Sequence, residues 1–296
     1  MRKTNTRIIA AALAVACVFS IETISLDQTA QNTKSTAQTE NPADSQNSRK
    51  ASLPHDKDQP GDFEAPSVIK MMKKAVQPVG QTLYVWGGGW NEEDTGGGIE
   101  SVTLGISDQW KSFFDQQSGS YSYLQHEYQI HDGLDCSGYV GWVVYNTLEK
   151  ENVRESYVVT ADKQCELLEK RGLGTVIPSS QVKELHPGDL FNNAGHIYIL
   201  VHGCEDGSRL ILHASPPGVQ FSGTPSADGK RDSMAAKEAA QIMSEHYPEY
   251  YARYPNTETD ASYNSYDQFV WSPDVLPDSQ QAGQQNSGEL LESIFS

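Results

Sequence analysis

A lone cysteine stands where a turn-rich stretch gives way to a strongly apolar run, and this boundary limits what the chain can fold into. The residues Asp135-Cys136-Ser137-Gly138 directly precede residues 139–145, which are all valine, glycine, tyrosine or tryptophan. This pattern predicts an apolar helix over residues 136–148 with the cysteine at its start. Backbone N–H groups converge at a helix start, where the helix dipole favours an anion. We therefore expect the pKa of the Cys136 thiol to fall from about 8.5 to roughly 3.5–7.5.

The net charge and the N-terminal segment limit the classes of protein to which this chain can belong. The 296 residues carry a formal net charge of −17, which argues against nucleic acid or an anionic membrane surface as a partner. A basic start precedes the apolar run 8–21, which is short for a membrane span of about 20 residues. Residues 1–26 are therefore predicted to be a signal peptide or a membrane anchor, and the protein to be secreted or extracytoplasmic. Lipid attachment at Cys17 is an alternative, which Ala14 disfavours because lipoprotein signals usually have leucine there.

Composition divides the rest of the chain into three parts. Residues 27–64 are polar with very few large apolar side chains, so they cannot offset the entropy lost on ordering, and they are predicted to be a disordered linker. Residues 65–277 are the globular part. Residues 278–296 are again polar apart from a short apolar patch at 290–295, and they are predicted to be a flexible tail.

Inside the globular part, helices are predicted first and strands afterwards. Hydrophobic periodicity and capping residues predict helices at 67–76, from Ser107 onward, at 136–148, at 161–170 and, interrupted near Pro248, at 234–253. Strands are predicted at 189–202, 210–214 and 269–271. This order predicts an α+β domain in which N-terminal helices pack on an antiparallel sheet.

The four cysteines do not have the spacing of a disulfide framework. They are Cys17, Cys136, Cys165 and Cys204. Cys165 and Cys204 could pair in an oxidising compartment, but two buried free thiols are the interpretation that we prefer.

Two histidines complete a candidate constellation with Cys136. His196 opens one apolar strand and His213 ends the next. If these are adjacent antiparallel strands joined by a loop at 205–208, the two imidazoles come together. In a cysteine hydrolase the thiolate attacks a carbonyl, a neighbouring imidazole exchanges the proton, and a third polar group orients that imidazole. Cys136, His196 and His213 are therefore candidate catalytic residues.

Each of these residues also has a structural interpretation. A lone histidine in a strand is usually a hydrogen-bonding residue of the framework, and a lone cysteine at a helix start is more often a buried thiol. A zinc site formed by Cys136, His196 and His213 is a further alternative, but the set lacks the short paired spacings typical of zinc ligands. We therefore expect no metal and no other cofactor. His202 shares a strand face with His196 but precedes a turn, which predicts a structural or exposed residue.

Five short motifs occur in order between residues 84 and 214. They are Tyr84-x-Trp86-Gly87-Gly88, Asp135-Cys136-Ser137-Gly138, Leu185-x-Pro187-Gly188-Asp189-Leu190, Gly195-His196-Ile197 and Leu212-His213-Ala214. This ordered set resembles the NlpC/P60 family of bacterial cell-wall cysteine peptidases. No single motif is decisive, and the specificity comes from all five together.

The resemblance implies both a fold and an activity. The fold would be the papain-like α+β fold of NlpC/P60 proteins. The activity would be hydrolysis of peptidoglycan stem peptides at the γ-D-glutamyl bond to the diamino acid. Cys136 would be the nucleophile, His196 the base and His213 its orienting partner. The protein would be associated with the cell wall, and we expect a monomer without a cofactor.

Three further residues match family positions near the substrate. Tyr84 matches the tyrosine beside the active site. Asp135 and Ser137 match positions near the cleft, where they would help to hold a free amino end of the stem peptide. A helix cap explains Asp135 or Ser137 equally well.

The chain departs from the family pattern in three places. Residues 91–133 and 224–268 are predicted insertions, which would either wall the cleft or lie far from it, and Tyr198 stands where the family prefers a small residue. Three other functions stay open. They are an amidase that cuts between muramic acid and L-alanine, a non-catalytic cell-wall binding module, and a cysteine acyltransferase.

Overall fold

The computed structural model describes residues 64–279 and 287–296. The predicted signal peptide or anchor at 1–26, with Cys17, lies outside these residues. So does the predicted linker at 27–64, apart from its last residue. Within the described ranges, no helix combines the length and the apolar character needed to cross a membrane.

The described residues form a mixed α+β domain with seven α-helices and an eight-stranded sheet, which confirms the α+β part of the predicted fold class. The helices are α1 (Val68–Val76), α2 (Asp108–Gln116), α3 (Cys136–Leu148), α4 (Ala161–Lys170), α5 (Met234–His246), α6 (Pro248–Arg253) and α7 (Ser287–Phe295). The strands are β1 (Leu83–Tyr84), β2 (Gly133–Leu134), β3 (Gly174–Ile177), β4 (Leu190–Asn192), β5 (Ile197–Gly203), β6 (Arg209–Ser215), β7 (Gly218–Gly223) and β8 (Asp267–Trp271).

Serine caps explain where three of the helices begin. The side chains of Ser67, Ser107 and Ser233 accept hydrogen bonds from backbone N–H groups in the first turns of α1, α2 and α5. Each cap satisfies one of the donors that a helix start leaves without an intrahelical partner. The break between α5 and α6 falls at Pro248, as the sequence predicts, because proline lacks the N–H that would continue the helix.

The sheet has the strand order β2-β1-β7-β6-β5-β4-β8-β3. Every neighbouring pair is antiparallel except β1 and β2, which run parallel, with Leu83 paired to Gly133 and Tyr84 to Leu134. The expectation of a purely antiparallel sheet is therefore wrong. Parallel neighbours need a crossover of a dozen or more residues, and the long segment between β1 and β2, which includes the predicted insertion 91–133, supplies it.

Helix α3 is the centre of the main core. All of its residues except the last, Leu148, are buried, and it packs against α1, β5 and β6. The Tyr139 hydroxyl donates to the Ala75 carbonyl of α1 at 2.8 Å, and the Trp142 ring meets Trp110 of α2 edge-on at 5.7 Å. The uninterrupted apolar run of the sequence is thus explained by a helix that has neighbours on every side.

A smaller apolar cluster lies on the other face of the sheet. Alternate residues of β5 point to opposite faces, so Tyr198 and Leu200 belong to this cluster while Ile199 belongs to the main core. The Tyr198 hydroxyl donates to the backbone carbonyl of Tyr263 at 2.9 Å and accepts from Arg209 at 2.9 Å. Tyr198 therefore anchors the predicted insertion 224–268 to the sheet.

The strands differ from the sequence-based expectations in two ways. The strand predicted at 189–202 is two paired strands, β4 and β5, with a turn at 193–196. Strands β2, β3 and β7 have no counterpart in the prediction. The sequence of β7 contains glycine, glutamine and serine, and its polar side chains are buried because they bond to one another and to β6. Such a strand lacks the alternating apolar pattern that would have predicted it.

The C-terminal segment also differs from expectation. Residues 287–295 of the predicted flexible tail form α7, which packs against α1. Leu290 and Ile294, four residues apart on one helix face, are buried in the main core. The short apolar patch was therefore the contact face of an amphipathic helix.

Replacing Leu290 by alanine tests whether α7 belongs to the folded domain. We expect the free energy of unfolding to fall by about 2–5 kcal/mol, the usual cost of removing a buried leucine side chain. Denaturant titration of the two proteins measures this change. Leu291→Ala is the matched control, because Leu291 is only partly buried and should cost less. Equal unfolding curves for all three proteins would contradict the docking of α7.

Candidate active site

Cys136 is the first residue of α3, and Asp135 caps that helix. The Asp135 carboxylate accepts from the backbone N–H of Gly138 at 2.7 Å and from the Ser137 hydroxyl at 2.9 Å. Ser137 in turn accepts from the indole N–H of Trp90 at 3.1 Å. Two of the three predicted substrate-binding residues thus have a structural role, Asp135 as the cap and Ser137 as its hydrogen-bond partner, while both also line the cleft beside Cys136.

Three glycines, Gly88, Gly133 and Gly138, allow the first motif to pack against β2 and the start of α3. A Cβ atom on Gly138 would lie 2.1 Å from the carbonyl oxygen of Gly88, and one on Gly88 would lie 2.5 Å from the carbonyl oxygen of Gly133. The Gly88 carbonyl also accepts from the backbone N–H of Asp135 at 3.0 Å. No larger residue fits at Gly88 or Gly138 without moving the backbone, which explains the glycines of both motifs in physical terms.

The two candidate histidines meet side by side at the centre of the sheet. His196 directly precedes β5, His213 lies in β6, and their Nε2 and Nδ1 atoms are 3.0 Å apart. The strand pairing that the sequence predicted therefore brings the two imidazoles together. The cleft that contains Cys136 is also lined by Gly195, and the backbone N–H of Ile197 points at the thiol.

A chain of hydrogen bonds extends from His213 into the second insertion. His213 Nε2 lies 3.0 Å from the Ser222 hydroxyl, which accepts from the Gln220 amide at 2.9 Å. The same Gln220 amide donates to the Asn256 carbonyl, and Tyr250 donates to the Gln220 carbonyl oxygen at 3.2 Å. Sequence reasoning missed Ser222 and Gln220. Their signal was a pair of polar residues two apart, on one face of a strand.

This series of hydrogen bonds allows His196 the tautomer that a catalytic base needs. The Asn256 carbonyl can only accept a hydrogen bond, so the Gln220 side-chain atom that contacts it must be the amide nitrogen Nε2. The same Nε2 group donates to the Ser222 hydroxyl, which occupies one lone pair of the Ser222 oxygen. When the other lone pair accepts from His213 Nε2–H, His213 Nδ1 accepts from His196 Nε2–H. His196 Nδ1 is then unprotonated and available to take up a proton.

Burial gives the unliganded site a neutral thiol and neutral imidazoles. Burial raises the pKa of Cys136 to about 12, with a further contribution from the negative charge of Asp135, although backbone N–H groups of Ile197 and Ser137 oppose it. Burial lowers the pKa of His196 to about 4 and that of His213 well below its usual value. The expectation of a low thiol pKa is therefore wrong, because desolvation of the anion outweighs the helix start.

A second cavity, formed by residues of the first predicted insertion, borders the cleft at Cys136. The cleft has a volume of about 250 Å³ and includes Tyr84 and Trp86. The neighbouring cavity has about 470 Å³, and the two share Gly87, Trp90 and Asp94 in their walls. Glu92, Asp94, Asp132 and the exposed ring of Tyr128 make this cavity acidic and partly aromatic. The first predicted insertion thus borders the site.

Tyr84 lies in the cleft, where the resemblance places it. It is buried, its ring meets Tyr123 edge-on at 5.4 Å, and its carbonyl accepts from the Tyr121 hydroxyl at 2.7 Å. Both contacts come from the first insertion, which therefore supports the strand that carries Tyr84.

Tyr263 is a site residue that the sequence did not reveal. It belongs to the short 3-10 helix Ala261–Ser265, and its ring centroid is 5.0 Å from that of His196 and 5.9 Å from that of His213. Its pKa is raised by burial, by Tyr266 and by the charge of Cys136, so it also lies near the thiol. No motif marks this tyrosine, which lies within the second insertion.

Comparisons with known proteins give no relative for this chain. No protein-family model matches it, and neither a curated protein nor a solved structure does. The resemblance to NlpC/P60 proteins therefore rests on the five sequence motifs.

The pH dependence of alkylation tests the protonation state of Cys136. Because burial raises the thiol pKa, the thiolate fraction at neutral pH is small, and we expect the rate of reaction with iodoacetamide to rise about tenfold per pH unit from about pH 7 to about pH 10. Mass spectrometry of the peptide containing Cys136 measures this rate.

A small free thiol is the control, since its rate levels off above its own pKa of about 8.5. A Cys136 rate that is already constant between about pH 6 and 8 would contradict the neutral pair, and would indicate a thiolate–imidazolium ion pair with His196.

Proposed function

We propose that this chain is a cysteine peptidase of the papain-like NlpC/P60 fold that hydrolyses peptidoglycan stem peptides. One observation carries the proposal: His196 and His213 are hydrogen-bonded at 3.0 Å, and Gly195, the residue before His196, lines the cleft where Cys136 begins a buried helix. A nucleophile, a base and an orienting group are the parts that acyl transfer requires. The ordered motifs of the sequence support the same assignment.

The reaction begins with proton transfer from the Cys136 thiol to His196 Nδ1. The sulfur attacks the scissile carbonyl carbon, a C–S bond forms, and the carbonyl electron pair moves onto oxygen. Backbone N–H groups of Cys136 and Ser137 at the start of α3, together with that of Ile197, point towards the thiol and are the donors that would stabilise this oxyanion. His213 orients His196 and stabilises the imidazolium.

The intermediate then breaks down in two steps. The C–N bond breaks, His196 returns its proton to the leaving amine, and a thioester remains on Cys136. Water attacks this thioester while His196 accepts a proton, which restores the thiol and releases a carboxylic acid. Because the resting pair is neutral, substrate must displace water from the cleft and supply the electrophile before charge separation becomes favourable.

The acidic cavity favours a substrate with a free amine. Glu92, Asp94 and Asp132 line a cavity that shares wall residues with the cleft, in a protein with a net charge of −17. In a stem peptide the diamino acid, diaminopimelate or lysine, supplies a cationic amine. Attraction of this amine supports cleavage at the γ-D-glutamyl bond to the diamino acid. The basic start and apolar run of residues 1–21 support a secreted or extracytoplasmic location at the wall.

Digestion of purified wall fragments tests the activity and the bond. We expect Cys136→Ala and His196→Ala to lower the rate by roughly 10⁴–10⁶-fold, and His213→Ala by about 10²–10⁴-fold because it does not itself transfer the proton. Mass spectrometry identifies the products. Cys165→Ala, which removes a buried thiol outside the cleft, is the matched control and should keep its activity.

The products distinguish the alternatives. Fragments cut within the stem peptide support the proposal, whereas free stem peptides that begin with L-alanine would show an amidase instead. Binding of wall fragments without any product from the unaltered chain would show a binding module and would overturn the enzymatic assignment.

Asp94→Asn tests the role of the acidic cavity. Asp94 has a positive φ of 55°, which asparagine also tolerates, so the substitution removes charge with little backbone strain. We expect KM for a fragment with a free diamino-acid amine to rise about 3- to 10-fold, the effect of losing one partly exposed charge contact, with kcat nearly unchanged. Glu93→Gln, on an exposed neighbour outside the cavity, is the control. An equal change in both variants would contradict a local role.

A further inference from the structure

Three potential metal ligands meet where the end of β5 faces α5. His202 and Cys204 are two residues apart in the chain, and Glu238 lies in α5. His202 Nε2 is 3.1 Å from one Glu238 carboxylate oxygen, and the Cys204 sulfur is 3.9 Å from the other. One ligand atom from each residue lies within 4.8 Å of those of the other two, and all three residues are half-buried. None of the three lines the cleft at Cys136.

These separations are close to those that a tetrahedral zinc ion requires. Zinc binds sulfur at about 2.3 Å and nitrogen or oxygen at about 2.0–2.2 Å, so its ligand atoms lie roughly 3.4–3.6 Å apart. The observed 3.1 and 3.9 Å are to the two different oxygens of Glu238, and one ligand atom from each of the three residues lies within 4.8 Å of the other two. Small side-chain rotations would bring the three atoms into position.

The surroundings of His202 add a second, independent feature. Its Nδ1 lies 3.2 Å from the carbonyl oxygen of Gly203, so Nδ1 carries the proton and donates it there. Histidines that bind metals usually donate their second ring N–H to a carbonyl or a carboxylate, which leaves the ligating nitrogen unprotonated. The pairing of β5 with β6 also shifts register between Leu200 and His202, and such irregularities re-aim side chains.

We propose that His202, Cys204 and Glu238 form a zinc site. The ligands would be His202 Nε2, the Cys204 thiolate and a Glu238 carboxylate oxygen, with water as the fourth. Thiolate and carboxylate together balance the double positive charge of the ion, and binding releases the Cys204 thiol proton and the His202 Nε2 proton that is donated to Glu238 in this structure. Imidazole with thiolate is a ligand set that selects zinc over magnesium or calcium.

The site would tie the second insertion to the strand that follows His196. Glu238 belongs to α5, within residues 224–268, whereas His202 and Cys204 belong to the strand and turn that continue from His196. A metal bound in the folded state alone stabilises that state, and here it would hold α5 against the sheet.

Cobalt binding to the full chain tests the proposal. The chain carries Cys136→Ala, so that the active-site thiol cannot be a ligand, and it is stripped of metal with a chelator. We expect one equivalent of Co²⁺ to produce a thiolate-to-cobalt charge-transfer absorption in the near ultraviolet, and zinc to displace it. Added zinc should also raise the unfolding temperature.

Three variants of this parent assign the ligands. Cys204→Ser should abolish the absorption, and Glu238→Gln should weaken cobalt affinity by about 10- to 100-fold, a range seen even for residues that only orient a ligand. Glu245→Gln is the matched control. It removes a glutamate two turns further along the same face of α5, outside the cluster, and should bind cobalt as the parent does.

Three results would overturn the proposal. The first is a parent protein that retains no cobalt. The cluster would then be only a hydrogen bond between His202 and Glu238 beside the Cys204 thiol. The second is an absorption that survives Cys204→Ser. The third is an equal loss of affinity in Glu238→Gln and Glu245→Gln, which would show that cobalt binds to the acidic surface in general.

Discussion

The close contact between Gly88 and the first turn of α3 is the constraint on which the site depends. The Gly88 carbonyl accepts from Asp135, and no side chain fits at Gly138 against it. This contact fixes the position of Cys136 relative to the strand that carries Tyr84. It also requires the parallel pairing of β1 with β2, and hence the long crossover between them. The first insertion is thus part of the construction of the site.

Burial sets the reactivity of the site, because it disfavours both the thiolate and the imidazolium that the proposed reaction requires. A thiol at an exposed helix start would ionise easily, but at Cys136 desolvation raises the pKa and at His196 desolvation lowers it. The hydrogen-bonded chain from His196 through His213 to Ser222 compensates, because it stabilises the imidazolium when that forms. Under the proposed mechanism, such a site stays neutral until a substrate fills the cleft.

The sequence predicted the elements that have a regular apolar pattern, and it failed where polar residues are buried in pairs. Helices α1, α3 and α4 and the meeting of His196 with His213 follow from periodicity and strand alternation. Strand β7 could not be predicted, since Gln220 and Ser222 are buried only because they bond to β6 and to each other. The prediction of a low pKa for the Cys136 thiol was wrong for a related reason. Burial raises that pKa, and burial is a property of the tertiary structure.

The second insertion cannot be a remote decoration, because the orientation of the base depends on it. The series of hydrogen bonds that begins at His196 ends at Asn256 and Tyr250, both within residues 224–268. The ring of Tyr263, in the same segment, packs against both imidazoles. The Tyr198 hydroxyl donates to the backbone of Tyr263 and so holds that segment against the sheet, which explains a large residue at this position. Any change that loosens the segment therefore changes the tautomer and the burial of the histidines together, and with them the reactivity of Cys136.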